Sequence, residues 1–169
     1  MTPLLQQPEY LHVLVNPVLT HALPLGVLAL IVAISLRHRA AILVALIIVL
    51  VSAAAVWPAV HYGEAGADRV QSLADGTGGQ WLKIHAYRAG QWAWLFSATA
   101  LAAAAAILLP LRWPRLNRPL ALLTLVLAAG ACVAGAYIAY PAGKIRHREF
   151  RHTPPPPAEL QKAEQAEED

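Results

Sequence analysis

The chain has 169 residues, of which 57% are hydrophobic and only 14% charged, with a formal net charge of +3 and a mean hydropathy of +0.47. A water-soluble domain could hardly cover that much apolar surface with so few polar groups, so composition points to a membrane. Cys132 is the only cysteine, which excludes an intrachain disulfide and a thiolate metal cluster.

Four stretches free of Asp, Glu, Lys and Arg, at 16–36, 40–62, 89–111 and 119–143, are long enough to cross a bilayer, which takes roughly 20 residues of helix. The expected fold is all-α, an integral membrane bundle of four transmembrane helices. Residues 1–15 read as an interfacial lead, 16–143 as the transmembrane domain and 144–169 as a basic, then Pro-rich and acidic, flexible tail. Residues 1–20 hold no Lys or Arg, so the basic start of a cleavable signal peptide is missing and the first helix is expected to stay attached.

In chain order, Pro17 suits a first helical turn and His21 and Pro24 follow it. The aliphatic run ends at Arg37-His38-Arg39, a turn so short that the first two helices must be antiparallel neighbours. Pro58 near the end of the second helix predicts a kink with carbonyls left for other donors. If helix continues beyond it, Trp57, His61, Glu64 and Asp68 share a face. Asp75-Gly76 and Gly78-Gly79 are turn signals, and no strand precedes them to make a phosphate-binding loop. Trp81, His85, Arg88, Trp92 and Phe96 then recur at spacings of four, three, four and four, one face of a helix feeding the third span. Residues 97–106 are nearly all small, and the fourth span pairs Gly130 with Ala134 and Ala131 with Gly135, the spacing of close helix packing in lipid. Basic residues at 144–151 are expected to meet anionic headgroups rather than nucleic acid. Pro154–Pro157 stop any helix, and residues 158–169 read as solvated with at most transient helix. Two short matches, HAxxxG at His21 and His85 and an aromatic-Pro-Ala at Trp57 and Tyr140, suggest two related helical hairpins.

Five basic residues lie in the two tight turns and eight on the opposite side, so the raw count misleads about orientation. The first helix has none before it and Arg37 and Arg39 directly after, which places both termini on the periplasmic side of an inner membrane. All tyrosines, every tryptophan but Trp113 and every histidine but His38 fall toward that side. An interfacial aromatic belt explains the rings; a pocket wall around a flat cofactor or quinone is the sharper alternative.

Neutral imidazoles near apolar helix ends suit haem iron or another transition metal, because they ligate without adding charge to the bilayer. His21, His61 and His85 are the candidate cofactor ligands, with haem b or a transition-metal ion as the group held. His21, Glu64 and His85 form the candidate metal set, whereas His12, His147 and His152 are expected to be solvated. Depth separates the pairs. His21 is 16 residues from Arg37, His61 is 22 from Arg39 and His85 is 27 from Arg112. Those spans are roughly 24, 33 and 40 Å of helix, so His61 and His85 are better matched in height. Glu64 and Asp68 beside His61 are otherwise ordinary solvated carboxylates, or partners of Arg69 or Arg88. No nucleophile elbow, phosphate loop or HExxH pattern is present, so the chain is not expected to be an enzyme by itself.

Asn16-Pro17 with His21 and Pro24, Gly63-Glu64 with Asp68, and Trp81-Leu82-Lys83-Ile84-His85 resemble the motifs of an uncharacterised family of bacterial four-helix membrane proteins, a domain of unknown function. That family opens His-Pro-x-x-x-His-x-Pro, closes its second helix with Gly-Glu-x-x-x-Glu and enters its third through Leu-Ile-x-x-His-Glu. The resemblance covers residues 16–148 and highlights His21, Glu64 and His85. It departs at Asn16, where the family has histidine, at Ala86, where it has glutamate, and in lacking a glycine pair between Gly135 and Gly143. It implies a membrane location and an association with respiratory or cytochrome-containing systems.

The expected function is that of a haem- or metal-binding electron-transfer component at the outer membrane face, in contact with lipid and with other membrane or periplasmic redox proteins. The alternative is a non-catalytic anchor or assembly subunit of a larger respiratory-type complex. A transporter is disfavoured, because no ionisable residue lies mid-span.

Overall fold

The computed structural model describes residues 4–168; the first three residues of the lead, and Asp169 at the end of the tail, lie outside them. Every element among the described residues is helical. Four long apolar rods, Pro8–Ser35, Arg39–Leu73, Gly76–Leu111 and Pro114–Arg146, have the length and composition to cross a membrane. Rod one packs on rod two, two on three, three on four and four back on one, which is an up-and-down four-helix bundle. Leucine and valine side chains such as Leu28, Val32, Val51, Leu101, Val126 and Val133 lie exposed on its outside, a surface suited to lipid. The chain is a multi-pass membrane protein.

The rods are longer than the spans read from charge-free stretches. The second has 35 residues and the third 36, or roughly 50 Å each against a hydrocarbon core of about 30 Å. The excess forms a cap at the end away from the tight turns. Helix α1 (Pro8–Pro17) begins inside the expected lead, with Pro8 at a position where no intrahelical N–H is needed. A π-helical turn at Val18–Ala22 joins it to α2 (Leu23–Ser35). Helices α3 (Arg39–Ala54) and α4 (Val56–Leu73) make the second rod, interrupted at Ala55 just ahead of Pro58, whose ring cannot donate to the preceding turn. Gly63 and Gly66 do not end that helix. Gly66 is buried against α1, where a Cβ would lie 2.8 Å from Glu9 N and 2.9 Å from its Cα. Helix α5 (Gly76–Leu108) is unbroken for 33 residues.

Helix α6 (Asn117–Arg146) packs most extensively on α5. Ala103, Ala106, Ala121, Ala128, Ala131 and Ala134 are buried, and Gly130 and Gly135 sit where an added Cβ would make ordinary contact with Leu95 and Phe96. The small residues let the two backbones approach closely, as their spacing implied. Thr99 and Thr124 are buried, and each hydroxyl donates to a carbonyl one turn back, Leu95 O and Leu120 O, both at 2.8 Å, so no polar group is left unpaired there.

The C-terminal segment differs most from expectation. Pro157–Glu168 forms α7, which packs on α5 and buries Ala163. Helix α6 ends at Arg146, well ahead of the prolines, and the proline run stops no helix but leads into α7, whose first residue is Pro157. Leu160 joins Trp81, Ile84 and Ile145 in a separate apolar core of the cap. Nor do the two suggested hairpins match in detail. His21 is exposed in a π-helical turn whereas His85 is half-buried in regular helix, and Gly26 is buried whereas Gly90 is exposed.

Candidate functional site

The cap gathers its polar groups around one face of α5. Trp81, Arg88 and Phe96 are buried, His85 is half-buried and Trp92 is exposed, so the expected face turns inward over most of its length. His85 Nδ1 lies 2.9 Å from Ile138 O on α6. A carbonyl only accepts, so Nδ1 is the donor, and in the neutral ring the lone pair is then on Nε2. His12 on α1 repeats this arrangement, with Nδ1 2.7 Å from Ala59 O on α4. The two rings are neighbours, their centroids 6.4 Å apart and their planes 86° to one another.

One turn along α5, Arg88 closes the site. Pro141 has no N–H to offer the carbonyl of Tyr137, four residues back in α6. Arg88 Nη1 donates to that carbonyl instead, at 2.8 Å. Its Nε and Nη2 donate to Glu159 Oε2 on α7, at 3.0 and 2.6 Å. The guanidinium also stacks 3.7 Å from the centre of the Tyr137 ring, and the Tyr137 hydroxyl donates to Glu159 Oε1 at 3.2 Å. Each of the three guanidinium nitrogens thereby makes one hydrogen bond. Beside it, buried Lys144 donates to the Tyr140 hydroxyl at 2.8 Å and lies 4.3 Å from the centre of the Trp81 ring.

The cap is latched where α5 begins. Asp75 N-caps α5, accepting from Gly78 N at 2.7 Å. Arg151 donates to both Asp75 oxygens at 2.8 and 2.9 Å and to Lys144 O and Ile145 O at the end of α6, at 2.6 and 2.7 Å, so one side chain joins an N-cap to a C-terminus. Arg148 pairs with the same carboxylate at 2.8 Å. The basic patch at 144–151 is therefore largely engaged within the protein rather than free for headgroups, though Arg146 remains exposed.

The Arg151 hydrogen bonds, then Gly78 N–H, hold the Asp75 carboxyl at about 2, below its ordinary 3.8. The sign follows from the depressed folded value: the latch contributes fully above pH 4 and is lost as pH falls toward 2. Hydrogen exchange in the 144–151 segment is expected to be slow from pH 7 to 5 and to accelerate below pH 4 beyond the intrinsic rate. In Asp75→Asn it should be fast throughout, because the amide can still cap α5 but cannot pair with two guanidiniums.

The other sequence candidates lie elsewhere. His61 is exposed, its ring 5.3 Å from that of Tyr62, and Glu64 and Asp68 are exposed on the same outward face of α4 as Trp57. His21 is exposed, with Nδ1 2.9 Å from the Thr20 hydroxyl. The structure thus brings His85 together with His12 and not with His61, His21 or Glu64. Among the described residues no three His, Cys, Asp or Glu side chains cluster as a metal site would need. His12, which precedes the first charge-free stretch and was expected to be solvated, is instead half-buried and bonded to α4. Its signal was Pro8 followed by Glu9, His12 and Asn16 at helical spacing, which would have extended the first helix outward. Compared with family models, with curated proteins and with solved structures, the chain finds no match.

Proposed function

We propose that this membrane protein binds a transition-metal ion, bare or as haem iron, through His12 and His85 at the capped end of the bundle, and works as an electron-transfer component there. The observation that carries the reading is the paired tautomer. Both rings give Nδ1–H to a backbone carbonyl, the arrangement that fixes a ligating histidine and leaves Nε2 for the metal. Their spacing fits as well. The ring centroids are 6.4 Å apart, close enough for His12 and His85 to hold one ion between them, given metal–nitrogen bonds of about 2.0 Å. With two protein ligands the remaining positions belong to a porphyrin or an exogenous group, or to a copper(I) ion content with two. A bound iron or copper ion would supply a one-electron couple. The chain's own part is to orient both imidazoles through their Nδ1 bonds and to cover them with the cap. The resemblance to a four-helix family associated with cytochrome-containing systems points the same way, although there the highlighted residues are His21, Glu64 and His85. In the orientation we favour, the arginine-rich turns are cytoplasmic and the cap faces the periplasm; cleavage of α7 by protease in spheroplasts but not in inverted vesicles tests it.

The absorption spectrum and metal content of the detergent-purified protein decide the function. We expect a Soret band or near-stoichiometric iron or copper, with His12→Ala and His85→Ala each lowering retention by about tenfold or more. His21→Ala and His61→Ala are expected to retain it. A colourless preparation that stays metal-free after growth with iron, copper and zinc overturns this reading in favour of the second, an anchor or assembly subunit. That second reading has its own observation in the outward face of α4, where Trp57 is 64% exposed beside Glu64 and Asp68.

A further inference from the structure

The rim opposite the cap carries Arg37, Arg39, Arg112, Arg115 and Arg118, and no acidic residue occurs in either tight turn. Among the described residues none of the five forms an ion pair. Four of them, Arg37 and Arg39 from one turn and Arg115 and Arg118 from the other, converge with Asn117 on a cavity of about 370 Å³. Like charges gathered without a counter-ion repel one another, and the local field worsens this. Helices α3 and α6 begin at Arg39 and Asn117, so the positive ends of two helix dipoles face the same place.

A second cavity of about 370 Å³ borders the first, sharing Arg39 and Asn117, and is otherwise lined largely by apolar side chains, among them Leu43, Leu46, Ile107 and Leu111. Leu46 is seven residues along α3 from Arg39, so the groove descends roughly 10 Å toward the bilayer interior. A cationic cup that opens into a greasy groove has the shape of an anionic amphiphile. The backbone adds an independent sign. Arg37 is the only non-glycine residue with positive φ among those described, at 54°. It occupies the left-handed position that closes α2, with His38 N donating to Ala33 O and Arg37 N to Ile34 O. Glycine is the residue that geometry favours, yet an arginine stands there and lines the cavity.

We propose that this rim binds an anionic phospholipid, its phosphate held among Arg37, Arg39, Arg115 and Arg118 and an acyl chain lying along Leu43, Leu46, Ile107 and Leu111. Two arginines from each turn match a headgroup with two phosphodiesters, the chemistry of cardiolipin. The site is independent of the metal reading, being at the other end of every rod.

The full-length protein, delipidated in detergent, is titrated by native mass spectrometry with cardiolipin, phosphatidylglycerol, phosphatidylcholine and inorganic phosphate. Cardiolipin is expected to bind about tenfold tighter than phosphatidylglycerol, and phosphatidylcholine weakest. The double variant Arg39→Gln/Arg118→Gln should weaken cardiolipin binding about thirtyfold. Both side chains are exposed and unpaired, so the variant should fold, which helical content checks, and Arg112→Gln, outside the cavity, should bind like the parent. Equal binding of phosphatidylcholine, displacement of the lipid by inorganic phosphate, equal binding of phosphatidylglycerol, or an unchanged affinity in the folded double variant overturns the proposal.

Discussion

Replacing Arg88 with methionine will release α7 from the bundle. The guanidinium is 7% exposed and serves Glu159, Tyr137 O and the Tyr137 ring at once, so its loss strands the carbonyl that Pro141 left unpaired and strips Glu159 of its cation. Breaking a buried charge pair costs about 3–5 kcal/mol. Glu159 is 29% exposed and regains water when freed, so the lower figure applies: about 3 kcal/mol, or more than a hundredfold in the docking equilibrium. Lysine is not a conservative replacement, because one ammonium cannot reach acceptors on both α6 and α7 with the geometry of a planar fork. Hydrogen exchange across α7, or tryptic cleavage at the exposed Lys162, measures the effect. Parental protection of α7 in Arg88→Met would show that Leu160 and Ala163 hold the helix without the ion pair.

The second large effect comes from a single methyl group. In Gly66→Ala the new Cβ falls 2.8–3.0 Å from three atoms of Glu9, two of them backbone, so α1 must retreat rather than turn a side chain aside. Overpacking of this kind costs about 1–3 kcal/mol. The retreat also stretches the His12 to Ala59 hydrogen bond and the Arg69–Glu9 pair, both dependent on the same approach. We expect α1 to lose about 2 kcal/mol of docking free energy, read as faster exchange over residues 8–17 with α5 and α6 unaffected. Metal retention should fall with it toward the level of His12→Ala. An alanine variant with parental exchange in α1 would mean that the helices slide apart at little cost.

What could be read from the residues, and what could not, divides along physical lines. The four rods, the antiparallel first turn, the alanine-rich seam of α5 and α6, and the inward face that holds Trp81, Arg88 and Phe96 all follow from periodicity and small-residue spacing, which are local properties. Rod length did not, because charge-free stretches mark where a helix meets lipid and not where it ends; α1 and the far halves of α4 and α5 continue through charged residues into the cap. The partners of His12 and His85 are backbone carbonyls, which have no identity in a sequence. By sequence alone Glu64 and Asp68 are candidate partners of Arg88, being nearer to it in the chain. In the fold it meets Glu159, 71 residues away, because the chain turns back after α6 and lays α7 on α5. The cavity at the arginine-rich rim was hidden for a related reason. Each turn is short and ordinary, and the cup exists only where the two meet.

The rods also differ in how they can move. The first is jointed at its π-helical turn and the second at Ala55, but α5 runs from Gly76 to Leu108 without a hinge. Arg88 and Ile107 are 19 residues apart on it, about 28 Å of stiff helix. A rocking of the cap about Arg88 therefore reaches the far leaflet through α5 and through α6 packed beside it, which is likewise unbroken from Asn117 to Arg146, while the jointed rods can bend at one surface and leave the other still.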